Sequence, residues 1–160
     1  VTTDCTCENP NLVNKIVLID PSYQDMAPAA PEFYTKYEEA IHADDRANSQ
    51  LNDFKYPRRH PNWVAKYLVQ MQYKGFRNAI VSTEYNYQHK GRESNIRLNS
   101  LHKPILLIWG KDDHTVPFNY SDSVRSVFKV DFFPVNDAAH LPYIERADTV
   151  NRKILAFLNQ

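Results

Sequence analysis

An α/β fold, a mostly parallel sheet with a helical insertion, is predicted by three features of this 160-residue chain. Lys15 to Asp20 and Ile105 to Trp109 are short, continuous apolar runs of the kind found in strands covered on both faces. A third and weaker run, Val130 to Val135, carries Pro134. The second and third runs flank a segment of helix length, Asn119 to Phe128, and no Asn-Gly or Asp-Gly turn joins any of the runs. That is βαβ spacing. It implies parallel strands with helices on the faces of the sheet.

The elements follow in order. The first strand is closed by Pro21, and Met26 to Pro31 is an Ala- and Pro-rich loop entrance. Glu32 to Ala43 predicts a helix with Phe33, Tyr37, Ala40 and Ile41 on its apolar side. Ala43 to His60 is polar and loop-like. Asn62 to Tyr73 predicts a second helix, with Trp63, Val64, Tyr67, Leu68 and Met71 as its apolar side, and Phe76 to Tyr85 a third. This connection is far longer than the few residues usual between elements. It reads as a helical cap, residues 24–87, inserted into a core formed by residues 1–23 and 88–160. Asp148 to Leu158 predicts the closing helix, capped by Asp148 and apolar along Val150, Ile154, Leu155 and Leu158. Neither an internal repeat nor a low-complexity tract interrupts the chain.

Composition narrows the function classes. Lys+Arg and Asp+Glu both number 19, so no net field favours nucleic acid or an anionic membrane. Arg58-Arg59-His60 is too short to be a nucleic-acid footprint and reads as a solvated loop. No apolar stretch approaches the roughly 18 residues of a membrane span. Cys5 and Cys7 suit neither a structural disulfide nor, alone, a zinc site, which favours a reducing, cytoplasmic setting. Oligomeric state is not legible.

The chemistry gathers where strands end. Asp112 and Asp113 follow the second strand, and His140 follows the third in a short Ala-Ala loop. In open α/β sheets, ligands bind beyond the carboxyl ends of the strands. An acid and a histidine presented there are two parts of a nucleophile–His–acid set. The residue pattern alone does not choose between Asp112 and Asp113. A metal site built from Asp112, Asp113, His114 and His140 lacks any supporting ligand spacing, so no metal is expected. Gly75, Gly91 and Gly110 are too far apart for a phosphate-cradling loop.

Taken together, several segments resemble the α/β-hydrolase fold superfamily, in its cap-bearing serine hydrolase branch. They are Asn9-Pro-Asn-Leu-Val13 before the first strand, Tyr73 to Ile80, Lys103 to Pro117, Ala139-His-Leu-Pro142 with Glu145, and Val150 to Leu158. The resemblance implies that Asp113 is the catalytic acid, standing three residues after the strand-ending glycine and just before Val116-Pro117. It implies that His140 is the base, with Ala139 where many relatives carry glycine. Asp20 occupies the place where some relatives carry the acid instead. The resemblance further implies hydrolysis of a small apolar ester or related carbonyl compound, with no cofactor. The family's nucleophile sits in Gly-x-Ser-x-Gly, and these three glycines cannot form it. Val1 to Cys7 also matches poorly to the helix that follows the nucleophile. The chain is therefore expected to be the C-terminal portion of such a fold, downstream of the nucleophile elbow, and inactive alone. The alternatives are an Asp nucleophile, as in epoxide hydrolases and dehalogenases, and a non-catalytic interaction module.

Overall fold

The computed structural model describes residues 1–25, 30–87 and 90–160, with the side chains of residues 43 and 44 left out. Residues 26–29 of the Ala- and Pro-rich entrance, and residue 88 at the expected cap boundary, lie outside the described residues. The elements are α1 (Thr2–Glu8), β1 (Ile16–Ile19), α2 (Glu32–Ile41), α3 (Ala43–Ser49), α4 (Trp63–Met71), α5 (Phe76–Asn86) and α6 (Gly91–Asn99). They continue with β2 (Ile105–Gly110), α7 (Tyr120–Val127), β3 (Asp131–Val135), α8 (Pro142–Glu145) and α9 (Ala147–Leu158). Two compact units result. One comprises residues 1–24, 53–55 and 90–160, the other residues 25–52 and 56–89.

The first unit is built on a three-stranded sheet in the order β1-β2-β3, parallel throughout. Ile16 to Ile19 pair with Ile105 to Ile108, and Leu106 to Gly110 pair with Asp131 to Val135. Strand alternation sorts the side chains into two layers. Ile16, Leu18, Ile105, Leu107 and Trp109 join Cys7, Leu98, Val124 and Phe128 in one core. Leu106, Ile108 and Val135 join Ala138, Val150 and Phe157 in the other. Every residue of β2 is buried, which explains its unbroken apolar sequence. Pro134 is tolerated in β3, which among the described residues is paired on one side only.

Three expectations are corrected here. Val1 to Cys7, a poor sequence match to the expected helix, is nevertheless helical over Thr2–Glu8. α1 packs on α6, where the Ser94 hydroxyl donates to Asp4 Oδ1 at 2.7 Å. In α9, Asp148 lies inside the first turn and the cap position is Arg146, with no side-chain capping bond. The buried residues of α9 are Val150 and Phe157, with Ile154 half-buried, while Leu155 and Leu158 are exposed. Positions i, i+4 and i+7 stay on one helical face, whereas i+5 turns well away from it.

In the second unit, the segment expected to be loop-like, Ala43 to His60, folds into α3 and two 3-10 turns at Gln50–Asp53 and Pro57–Arg59. Lys55 and its neighbours 53 and 54 belong to the first unit. Phe33, Tyr37, Ala40 and Ile41 of α2 are exposed; Thr35 and Glu39 are its buried residues. The Glu39 carboxylate is held by both Nε and Nη2 of Arg46, so a charge pair, not an apolar stripe, defines the inner face of α2. On α4, Trp63, Val64, Tyr67 and Met71 are half-buried and Leu68 is at the exposed limit. Tyr67 meets Phe76 edge to face at 6.0 Å.

Candidate active site

Beyond Gly110 the chain turns tightly, and the Asp113 N–H donates to the Gly110 carbonyl at 3.3 Å. Asp113 then organises the residues after it. Its Oδ1 accepts from the N–H groups of Thr115 and Val116, each at 2.9 Å, a local bond pattern that Asp readily forms with backbone two and three residues on. This leaves Oδ2 directed at the imidazole of His140, whose Nδ1 lies 2.9 Å away. Asp113 is buried, while a quarter of the His140 side chain is exposed.

The loop that presents His140 is tied down along its backbone. Lys111 and Asp112 N–H groups donate to the Val135 and Ala138 carbonyls at 2.9 and 3.0 Å. The Ala139 N–H donates to Glu145 Oε2 at 2.7 Å, and the other Glu145 oxygen accepts from the Lys55 N–H at 2.9 Å. The His140 N–H donates to the Asp53 carbonyl at 3.0 Å. Gly110 makes the approach possible: a Cβ there would collide with the carbonyl oxygens of Ala138 and Ala139. Loop and strand end can meet only over a bare Cα.

Among the expected residues, Asp113 and His140 come together. Asp112 and His114 do not join them. The Asp112 carboxylate binds the Lys55 ammonium at 2.8 Å, an ion that also reaches Asp137 at 2.9 Å, and His114 is exposed. Asp20 sits beside the pair. It is buried, its Oδ1 accepts the Gly110 N–H at 2.8 Å, and its backbone takes a left-handed φ of 44°. Asp20, Asp113 and His140 each offer an atom to one cluster in which all lie within 4.8 Å of one another. Two carboxylates and an imidazole are donor types that can ligate a cation. Here, though, Nδ1 of His140 and both oxygens of Asp113 are engaged in hydrogen bonds.

Electrostatics separates the two aspartates. Burial pushes the Asp20 carboxyl up to about 8, outweighing the Gly110 N–H that favours its charged form. The hydrogen bond to Asp113 raises His140 above its ordinary value against the opposing effect of burial, and the charges of Asp113, Asp20 and Asp53 add to the rise. Burial, reinforced by Asp20 and Asp53, also raises the Tyr143 phenol. Paired to two carboxylates, first Asp112 and then Asp137, the Lys55 ammonium is held above the usual lysine range.

Asp53, Lys55 and Glu145 escape sequence reasoning as site residues. Glu145 stands in the segment that resembles the family, but its grip on Ala139 depends on the short α8 folding back. Asp53 and Lys55 reach the site from a distant stretch whose polar sequence carries no mark of it.

No family model and no curated protein matches the chain in sequence. Its structure is similar to that of the enol-lactonase from Burkholderia xenovorans LB400, with a TM-score of 0.77 and 16% identity over 99% of this chain and 61% of that one. The fold is that of an α/β-hydrolase. The 2-hydroxy-6-oxo-6-phenylhexa-2,4-dienoate hydrolase from Rhodococcus sp. strain RHA1 matches 99% of this chain and 60% of its own, with a TM-score of 0.72 and 18% identity. A thermophilic esterase from Thermogutta terrifontis matches 91% and 56%, with a TM-score of 0.69 and 18% identity. The chain thus spans about three-fifths of the length of these α/β-hydrolase structures and corresponds to their C-terminal part. No helix among the described residues is long and apolar enough to cross a membrane.

Proposed function

We propose that this α/β-hydrolase chain supplies the acid and the base of a hydrolase acting on a small apolar ester or related carbonyl substrate. The observation that carries the reading is the 2.9 Å bond between His140 Nδ1 and Asp113 Oδ2, set at the carboxyl ends of adjacent parallel strands. Asp113, already satisfied by two backbone N–H groups on its other oxygen, fixes the tautomer that carries hydrogen on Nδ1. Nε2 then accepts the proton of a nucleophile as it attacks a carbonyl and returns it to the leaving group, while Asp113 stabilises the imidazolium. The nucleophile is not among these 160 residues in its Gly-x-Ser-x-Gly setting. A lactonase and an esterase among the structural neighbours support the ester class. The helical unit serves as the cap that selects the substrate, a role supported by its standing as a separate compact unit.

The transcript sequence upstream of the Val1 codon, followed by fluorophosphonate labelling of the natural-length protein, tests the proposal. A serine labelled there, with labelling abolished by His140→Ala, is the expected result. An aspartate at the nucleophile position would move the reaction to alkyl-enzyme chemistry, and no nucleophile at all would leave an interaction module. The 160-residue chain by itself should take up no label.

A further inference from the structure

The two buried aspartates of the cluster are not equally provided for. Asp113 receives three donors: two backbone N–H groups on Oδ1 and the imidazole on Oδ2. Among the described residues Asp20 receives one, the Gly110 N–H on Oδ1, and its Oδ2 is buried with no partner there. A bare carboxylate oxygen without a donor in such a place costs its whole desolvation energy. A proton on that oxygen removes the charge and turns the acceptor into a donor. An acceptor is at hand, since the Asp113 carboxylate belongs to the same cluster within 4.8 Å. Two negative carboxylates that close oppose each other's ionisation, and the one that accepts more hydrogen bonds keeps the charge.

We propose that Asp20 is a neutral carboxylic acid in the folded protein, donating its proton toward the Asp113 carboxylate and so acting as a positioning residue for the Asp113–His140 pair. The catalytic meaning of this rests on the function proposed above; the protonation state does not. Burial raising the Asp20 carboxyl to about 8 points the same way. The titratable groups that bear on the cluster are Asp113 after β2, His140 after β3, Asp53 and, on α8, Tyr143. Lys55 pairs with Asp112 and Asp137 and is not among the groups acting on Asp20. The left-handed backbone at Asp20 also fits the assignment: Asp and Asn adopt that conformation at little cost, so the position can hold a short polar side chain against Gly110.

With Asp20 neutral, His140 feels the charges of Asp113 and Asp53 without that of Asp20. The rise in His140 then comes from its hydrogen bond to Asp113 and from the remaining carboxylates. Asp20 ionises only in mildly alkaline solution, and there it raises the proton affinity of His140.

The test is a pH titration by NMR of the 160-residue chain carrying 13C-labelled aspartate and 15N-labelled histidine. The Asp20 Cγ signal, assigned by its loss in Asp20→Asn, should hold its neutral-acid position through pH 7 and move near 8. Asn at this position stays neutral and keeps an acceptor for Gly110 and a donor for Asp113. In Asp20→Asn the His140 midpoint should therefore shift by less than about 0.3 unit, whereas loss of a true neighbouring charge would lower it by about 1–3 units. An Asp20 signal that titrates below pH 5 in the unmodified chain overturns the proposal even if the variant does not fold. A fall of a unit or more in the His140 midpoint overturns it independently. Neither readout depends on turnover. A neutral Asp20 in a protein that hydrolyses no ester would discard the proposed function and leave this inference standing; an ionised Asp20 in an active hydrolase would do the reverse.

Discussion

Asp113 and Glu39 are buried carboxylates, one in each compact unit, and each faces a nitrogen base. Their surroundings differ in a way that separates chemistry from scaffolding. Glu39 meets a guanidinium, which stays charged at any pH a protein survives. It is gripped through two nitrogens, seven residues along the same stretch of chain. Nothing in that pair can transfer a proton. Asp113 meets an imidazole, whose charge can change near neutral pH, and the two are brought together from the ends of neighbouring strands. Its second oxygen is fixed by backbone rather than by another side chain. A buried ion pair becomes a catalytic candidate when one member can change its charge and the other cannot move.

That contrast can be broken most directly in the natural-length protein. His140→Ala should lower turnover by about 10⁴-fold, while Glu39→Ala should leave the shape of the pH–rate profile unchanged. If Glu39→Ala alters the profile as His140→Ala alters the rate, the division fails. The scaffold beneath the site is tested by Gly110→Ala. Its Cβ meets two backbone carbonyls that cannot swing aside, and urea unfolding should show a loss of about 2–3 kcal/mol. A neutral outcome would mean that the His140 loop can retreat without cost.

The sign of the pH dependence sharpens the comparison further. His140 is raised in the folded chain above its ordinary 6.5, so its contribution to stability is fully present below that value and is lost as pH rises through the folded one. Asp20, raised from 3.8 to about 8, works in the same direction across a wider window. Urea stability should therefore decline between pH 6.5 and 8. The decline should shrink in His140→Ala and Asp20→Asn and persist in Glu39→Ala. The smallest effect belongs to the scaffold pair. Because Arg46 is partly exposed, Glu39→Ala should cost about 1–2 kcal/mol, less than a fully buried pair.

Much of the core was legible because it obeys local rules. Ile-Leu-Leu-Ile-Trp of β2 is buried on both faces and apolar at every position, and β1 alternates buried with half-buried apolar residues, so both strands are legible nearly to the residue. The choice of Asp113 over Asp112 was not in the local pattern; it came from resemblance, and in the folded chain it is Asp113 whose side chain meets His140. What escaped was decided by partners remote in sequence. Glu39 is buried because Arg46 covers its charge, which no apolar periodicity records. Leu155 and Leu158 satisfy a loose helical stripe, but only the face carrying Val150 and Phe157 meets the sheet. Glu145 reads as an ordinary helix-end carboxylate until α8 returns it to Ala139.

The order in which β2 acquires its neighbours has a kinetic consequence. β2 and β3 are joined through the single helix α7, whereas β1 and β2 are separated by a stretch roughly four times as long that contains the whole helical unit. Two doublings of loop length add about 1.2 kcal/mol to the entropy of closure, and distant pairings slow folding. The β2–α7–β3 crossover should therefore assemble first, bringing Asp113 to His140. β1 docks later and carries Asp20 into a site already formed. On the neutral state proposed for Asp20, its proton would then be taken up late in folding.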